Sequence, residues 1–193
     1  MVTGRSRGRK WPGWPGLRKA DDMTGEPTPA HLLPEDEVDQ VVAAWRRERP
    51  DLDTAPMQVW SRILRLAQLL DAARSRAFAG QDLQVWEFDV LAALRRAGAP
   101  YRLSPGQLAC RTHVTSGTMT NRVDGLARRG FVTRLAHPTD GRGVLVELNS
   151  AGRAAVDAAL ADLVGAEQTL MAGLDTDSRV RLGALLRQLL ISQ

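Results

Sequence analysis

The chain has 193 residues, 44% of them hydrophobic, and a formal net charge of +4, which suits one core with an appendage. No apolar run approaches the roughly 18–20 residues that span a bilayer, and the basic start MVTGRSRGRKWPGWPGLRK lacks the apolar stretch of a secretory signal, so a cytoplasmic chain with no membrane partner is expected. Cys110 is the single cysteine, and with His31, His113 and His137 it forms neither a credible metal set nor a triad, so no enzyme, metal or cofactor is expected.

The charge is unevenly placed. Residues 1–20 carry Arg5, Arg7, Arg9, Lys10, Arg18 and Lys19 without an acid, which leaves the remainder at −2. Within that remainder, residues 102–142 hold seven arginines against Asp124 and Asp140, a net of +5. A mildly acidic body with one basic segment points to a localised polyanion-binding surface.

Residues 1–34, rich in proline, glycine and charge, read as a disordered basic tail. PEDEVDQVVAAWRRER has acids first and arginines last, and Val38, Val41, Val42 and Trp45 mark one helical face; Pro50 ends it. TAPMQVWSRILRLAQLLDAARSRAFAG starts a second helix at Thr54 and stops at Gly80. VWEFDVLAALRRAG is a third. Ser104-Pro105-Gly106-Gln107 reads as a capping box opening a short helix to about Arg111, and Thr115 caps the next, which runs to Arg129 before Gly130. The period then falls to two: FVTRLA and VLVEL form a hairpin across Asp140-Gly141. A long helix follows Asn149-Ser150 to about Ala172, and Thr176 to Ile191 forms the last.

The expected fold is therefore mainly α: a winged helix-turn-helix over 85–148 with a two- to three-stranded β-wing. Helices over 35–84 and 149–193 flank it, with apolar faces that lack a partner in one chain. A second copy is the simplest cover.

On the 115–129 helix, Met119, Val123 and Leu126 make the core face, while Gly117, Thr120, Asn121, Asp124 and Arg128 lie opposite, with Ser116 near the N-terminus. Short polar side chains let a helix sit deep in the major groove of double-stranded DNA, where amides and hydroxyls reach base edges, and a helix N-terminus favours phosphate. Ser116, Gly117, Thr120, Asn121 and Arg128 are the candidate DNA-binding residues. Arg142, between two glycines at the hairpin tip, is a candidate for the minor groove. Arg128, Arg129 and Arg134 are candidate phosphate contacts. Arg122 falls beside the core face and wants a carboxylate or anion; Asp89, alone in an apolar helix, is the candidate partner.

LSPGQLACRTHVTSGTMTNRVDGLARRGFVTR and TDGRGVLVELNSAG resemble the helix-turn-helix and the wing with dimerisation helix of the MarR family of regulators, over roughly residues 38–192. Pro138 stands where the family's wing often has an acid. The resemblance implies a homodimer that binds a pseudo-palindromic operator as a repressor. WRRERPDLDTAPMQVWSRILRL and WEFDVL are similar to the urate-responsive branch. By matching motif that similarity implies ligand residues Trp45, Asp89, Arg122 and Arg134 and a small anionic effector such as urate. An indole can stack on a flat heterocycle, and arginine can pair with its oxyanion.

Other readings of the same residues are a regulator that senses another small carboxylate, or an oxidant through Cys110, and a winged helix used for protein contacts. Cys110, in the helix before the reading helix, is expected to be buried and inert.

Overall fold

A computed structural model of the chain describes residues 34–136 and 143–192. The tail expected over 1–34 lies outside them except for Pro34, as do the Asp140-Gly141 turn and Arg142. Pro34–Leu174 form one compact unit; α7 (Thr176–Ile191), capped by Asp175, belongs to a second and is described by itself.

The first unit begins with α1 (Glu37–Glu48) and α2 (Met57–Ala79). Asp36 caps α1 by accepting the Val38 and Asp39 amides, and Asp39 accepts the Asp36 amide in return. Arg62 of α2 pairs with Asp36 and Asp39, which ties the two helices. α2 starts three residues later than its expected opening at Thr54. Thr54 is instead buried in the preceding turn, where its hydroxyl accepts Arg46 Nε at 3.3 Å. Burial along α2 is confined to its second half, at Ala73 and Phe78, while Trp60, Leu64, Leu66 and Leu69 stay exposed. On α1, Val38 and Val42 are buried but Val41 and Trp45 are not, so the predicted stripe is half covered.

The core is built around α3 (Val85–Arg96), where Val90, Leu91 and Leu94 are fully buried. Against it pack α4 (Pro105–Arg111) through Leu108, α5 (Ser116–Arg128) through Met119, Val123 and Leu126, and α6 (Ser150–Leu170) through Val156. The expected Ser104 box is present: the hydroxyl accepts the Gln107 amide at 3.2 Å and Gln107 Oε1 accepts the Ser104 amide at 2.9 Å, with Pro105 in the first turn. Thr115 caps α5, and Gly130 leaves it with φ +73°.

Three strands form one antiparallel sheet in the order β1 (Arg102–Leu103), β3 (Val144–Leu148), β2 (Val132–Ala136), with Leu103 opposite Val146 and Arg134 opposite Val146 on the other side. The hairpin was expected; β1 is the third strand of the wing. Asn149 then joins sheet to helix. Its side chain accepts the Gly152 amide at 2.9 Å and donates to the Gly130 carbonyl at 2.7 Å. That places the first turn of α6 against the chain leaving α5: a Cβ on Gly152 would lie 2.2 Å from the Phe131 carbonyl oxygen.

Candidate functional site

α5 packs through one side alone. Met119, Val123 and Leu126 have no exposure, while Ser116, Gly117, Thr120, Asn121 and Arg128 are all exposed. The helix-turn-helix holds that orientation by local means, because the Thr115 cap and the α4–α5 packing fix which side of α5 meets the core. Along the exposed side the Thr120 hydroxyl donates to the Ser116 carbonyl at 3.1 Å and keeps its acceptor capacity. Among the described residues Arg128 donates only a long 3.4 Å bond, to the Asp124 carbonyl, so its guanidinium is available to an external anion. Nothing lies within 4 Å of a Cβ built on Gly117.

The other candidate phosphate arginines differ. Arg129 is taken by the protein itself: its guanidinium donates to Glu87 Oε2 at 2.5 Å and to the Asp82 carbonyl and carboxylate at 2.6 and 2.8 Å. Its expected role as a phosphate contact therefore competes with three hydrogen bonds inside the protein. Sequence reasoning missed Glu87, which is 2% exposed. A carboxylate in the first turn of an apolar helix looks like a dipole partner, and only the fold brings an arginine 42 residues away onto it. Arg134 pairs with Asp124.

The residues implied as a ligand set are distributed as follows. Asp89 does not take Arg122 as expected; Arg74 of α2 donates to Asp89 Oδ1 at 2.9 Å. The reason is that α2 packs against α3 at Arg74 and supplies the cation there. Arg122, half-buried, lies with its guanidinium carbon 5.6 Å from the ring centroid of Trp86, and among the described residues it takes no carboxylate. Trp86 and Asp89 are three residues apart on α3 and so share a face. Arg122, Trp86, Asp89 and Arg74 therefore make a contiguous row of two cations, one indole and one carboxylate. Trp45 stands on α1 with 49% of its surface exposed; the indole that Arg122 meets is Trp86.

Cys110 is exposed, contrary to expectation. Leu108 and Ala109 take the inward side of the two-turn helix α4 and leave the next position facing out. Among the described residues no group of histidine, cysteine and carboxylate side chains could hold a metal, and no helix is long and apolar enough to cross a membrane.

A capped short helix, a tight turn, a second helix with an exposed polar side and an antiparallel wing define a winged helix-turn-helix DNA-binding protein. The MarR family model matches residues 81–143. The chain is 36% identical over 150 residues to the HTH-type transcriptional regulator PecS of Dickeya dadantii, covering 78% of this chain and 90% of that protein. Its structure is similar to that of wild-type MarR from Escherichia coli, with a TM-score of 0.59 and 30% identity over 68% of this chain and 96% of that one. It is also similar to a structure of Bordetella bronchiseptica BpsR described for regulation of its DNA binding by 6-hydroxynicotinic acid, with a TM-score of 0.59 and 27% identity over 72% and 96%. The chain belongs to the MarR family and is a transcriptional regulator, not an enzyme.

Proposed function

We propose that the chain is a homodimeric repressor that reads a pseudo-palindromic operator with α5 and is released from it by a small, flat, anionic effector of the urate class. Ser116, Gly117, Thr120 and Asn121 read the major groove, Arg128 holds phosphate, and Arg142 enters the minor groove. Trp45, Asp89, Arg122 and Arg134 receive the effector.

The observation that carries the effector reading is Arg122: a half-buried guanidinium on the reading helix, set over an indole and facing no carboxylate among the described residues. A cation so placed attracts an anion. The likeness to BpsR, whose DNA binding is described as regulated by a heteroaromatic acid, supports the same ligand class. In this reading an anion drawn to Arg122 over Trp86 approaches the side of α3 that carries Asp89, and the part of the Asp89 charge that Arg74 leaves unbalanced repels it. Movement of α5 relieves that repulsion and misaligns its exposed side. A preference for the released form of about 1–3 kcal/mol is sufficient coupling.

The test is binding of the purified chain to the DNA upstream of its own gene, titrated with urate, other purines and small aromatic carboxylates. Release by one of these is expected, with Asp89→Asn retaining DNA binding but responding less and Trp45→Ala needing more effector. Wild-type release in both variants would falsify the effector site. A second reading, release by oxidation at Cys110, has the exposure of that thiol in its favour; alkylation that leaves DNA binding and release unchanged excludes it.

A further inference from the structure

Arg128 and Arg129 stand side by side at the end of α5 and both reach solvent, yet their partners differ. Arg128 is exposed and nearly unbonded. The Arg129 guanidinium meets three groups at once: the Glu87 carboxylate, the backbone and side chain of Asp82, and the face of Phe131, whose ring centroid lies 4.9 Å away. Glu87 has a side chain 3% exposed, and the same oxygen accepts the Gln84 amide at 2.8 Å to close the first turn of α3. Asp82 lies in the turn between α2 and α3 with φ +52°, a left-handed conformation that its bond to Arg129 helps hold. One side chain thus fastens the end of the reading helix to the corner where α2 meets α3.

We infer that Arg129 is a positioning residue for DNA recognition, fixing the attitude of α5 by clamping its C-terminal end on Glu87 and Asp82, and that it does not contact phosphate. This rests on α5 being the helix that reads DNA. Swinging Arg129 out to a phosphate leaves a buried carboxylate without its cation, which is strongly unfavourable. The planar fork of arginine satisfies Glu87 and Asp82 together, which a lysine ammonium cannot do with the same geometry. The leverage is large because the clamp is at one end and the base-facing residues are toward the other. A helix of 13 residues is about 20 Å long, so a tilt of about 5° at the clamp carries Ser116 through about 1.7 Å, enough to break hydrogen-bond geometry.

The experiment uses the full chain, a duplex that the wild-type chain selects from a random pool, and a scrambled duplex of the same composition, each titrated across a salt series. Arg129→Gln is expected to lower affinity for the selected duplex about tenfold or more while changing the scrambled one less than about twofold, with an unchanged slope against log salt. Glu87→Gln should reproduce this and add nothing in the double variant, because both changes open the same clamp. Arg129→Lys should recover only part of the discrimination. Asp82→Gly keeps the left-handed turn and the carbonyl that accepts Arg129 and removes only an exposed carboxylate, so it tests the clamp without disturbing the buried Glu87, and a loss of about twofold to threefold in discrimination is expected. Equal losses on both duplexes for Arg129→Gln, with a salt slope shallower by about one, would make Arg129 a phosphate contact and overturn the clamp. Wild-type discrimination in folded Asp82→Gly and Glu87→Gln would overturn it too. A chain that selects no duplex overturns the reading of α5, and the clamp with it.

Discussion

Asn121 and Gly152 illustrate what single residues contribute here. The Asn121 side chain is exposed on α5 opposite the Met119–Val123–Leu126 side. If it makes a bidentate base contact, Asn121→Ala lowers the preference for operator over random DNA by about 1–3 kcal/mol; equal losses on both DNAs in a competition assay would remove it from the reading set. Gly152 has a packing role. Its missing Cβ is replaced by the Phe131 carbonyl oxygen at 2.2 Å and Leu148 Cδ1 at 2.8 Å. Gly152→Ala should therefore cost at least about 1–3 kcal/mol of stability despite the better helix propensity of alanine, measured by urea denaturation. Ionic partners were the least legible feature in the sequence at this scale. Periodicity places Asp89 and Arg122 on their own helices, but which cation reaches Asp89 depends on how α2 crosses α3, and no local pattern encodes that.

Helix starts were legible where a cap marks them, because caps are local chemistry: Ser104 and Thr115 cap where the sequence places them, and Asn149 caps the helix expected after it. β1 did not announce itself, since two residues carry no period and Arg102–Leu103 are a strand only by pairing with β3. The α4 surface was misread for a related reason: in seven residues the inward side is set by Leu108 and Ala109 together, and Cys110 falls outside it. The α1 cap also has a pH signature. The Asp36 backbone N–H, then the Arg62 guanidinium, hold the Asp39 carboxyl below its ordinary range. A carboxylate depressed in the folded state stabilises above its unfolded pKa, and that contribution disappears as pH falls through the folded value. The melting temperature of the wild-type chain should thus fall as pH drops below the ordinary carboxylate value of about 4, with a shallower fall in Asp39→Ala.

At the level of the whole molecule, the fold class and the position of the reading helix were legible because hydrophobic period and turn chemistry agree throughout 85–148. What the sequence could not specify is how the flanking helices are covered. Apolar side chains on α1, α2 and α6, among them Trp45, Trp60, Leu64 and Leu160, remain exposed in one chain, and large apolar side chains grouped on helices in this way mark an interaction surface. A dimer is therefore expected in sedimentation at micromolar concentration, and a folded monomer there would refute it.

The uneven burial of α2 has a further consequence in time. Its second half is anchored by Ala73 and Phe78, whereas the stretch from Trp60 to Leu69 buries no side chain fully and is tied to α1 mainly by the ion pairs of Arg62 and Arg65. A helical segment held mainly by a second chain frays when that chain leaves, while α3 stays enclosed by its own core. Amide exchange should accordingly be concentration-dependent over the first half of α2 and independent of concentration over α3. Diluting the protein would then reveal a break in protection partway along one continuous helix.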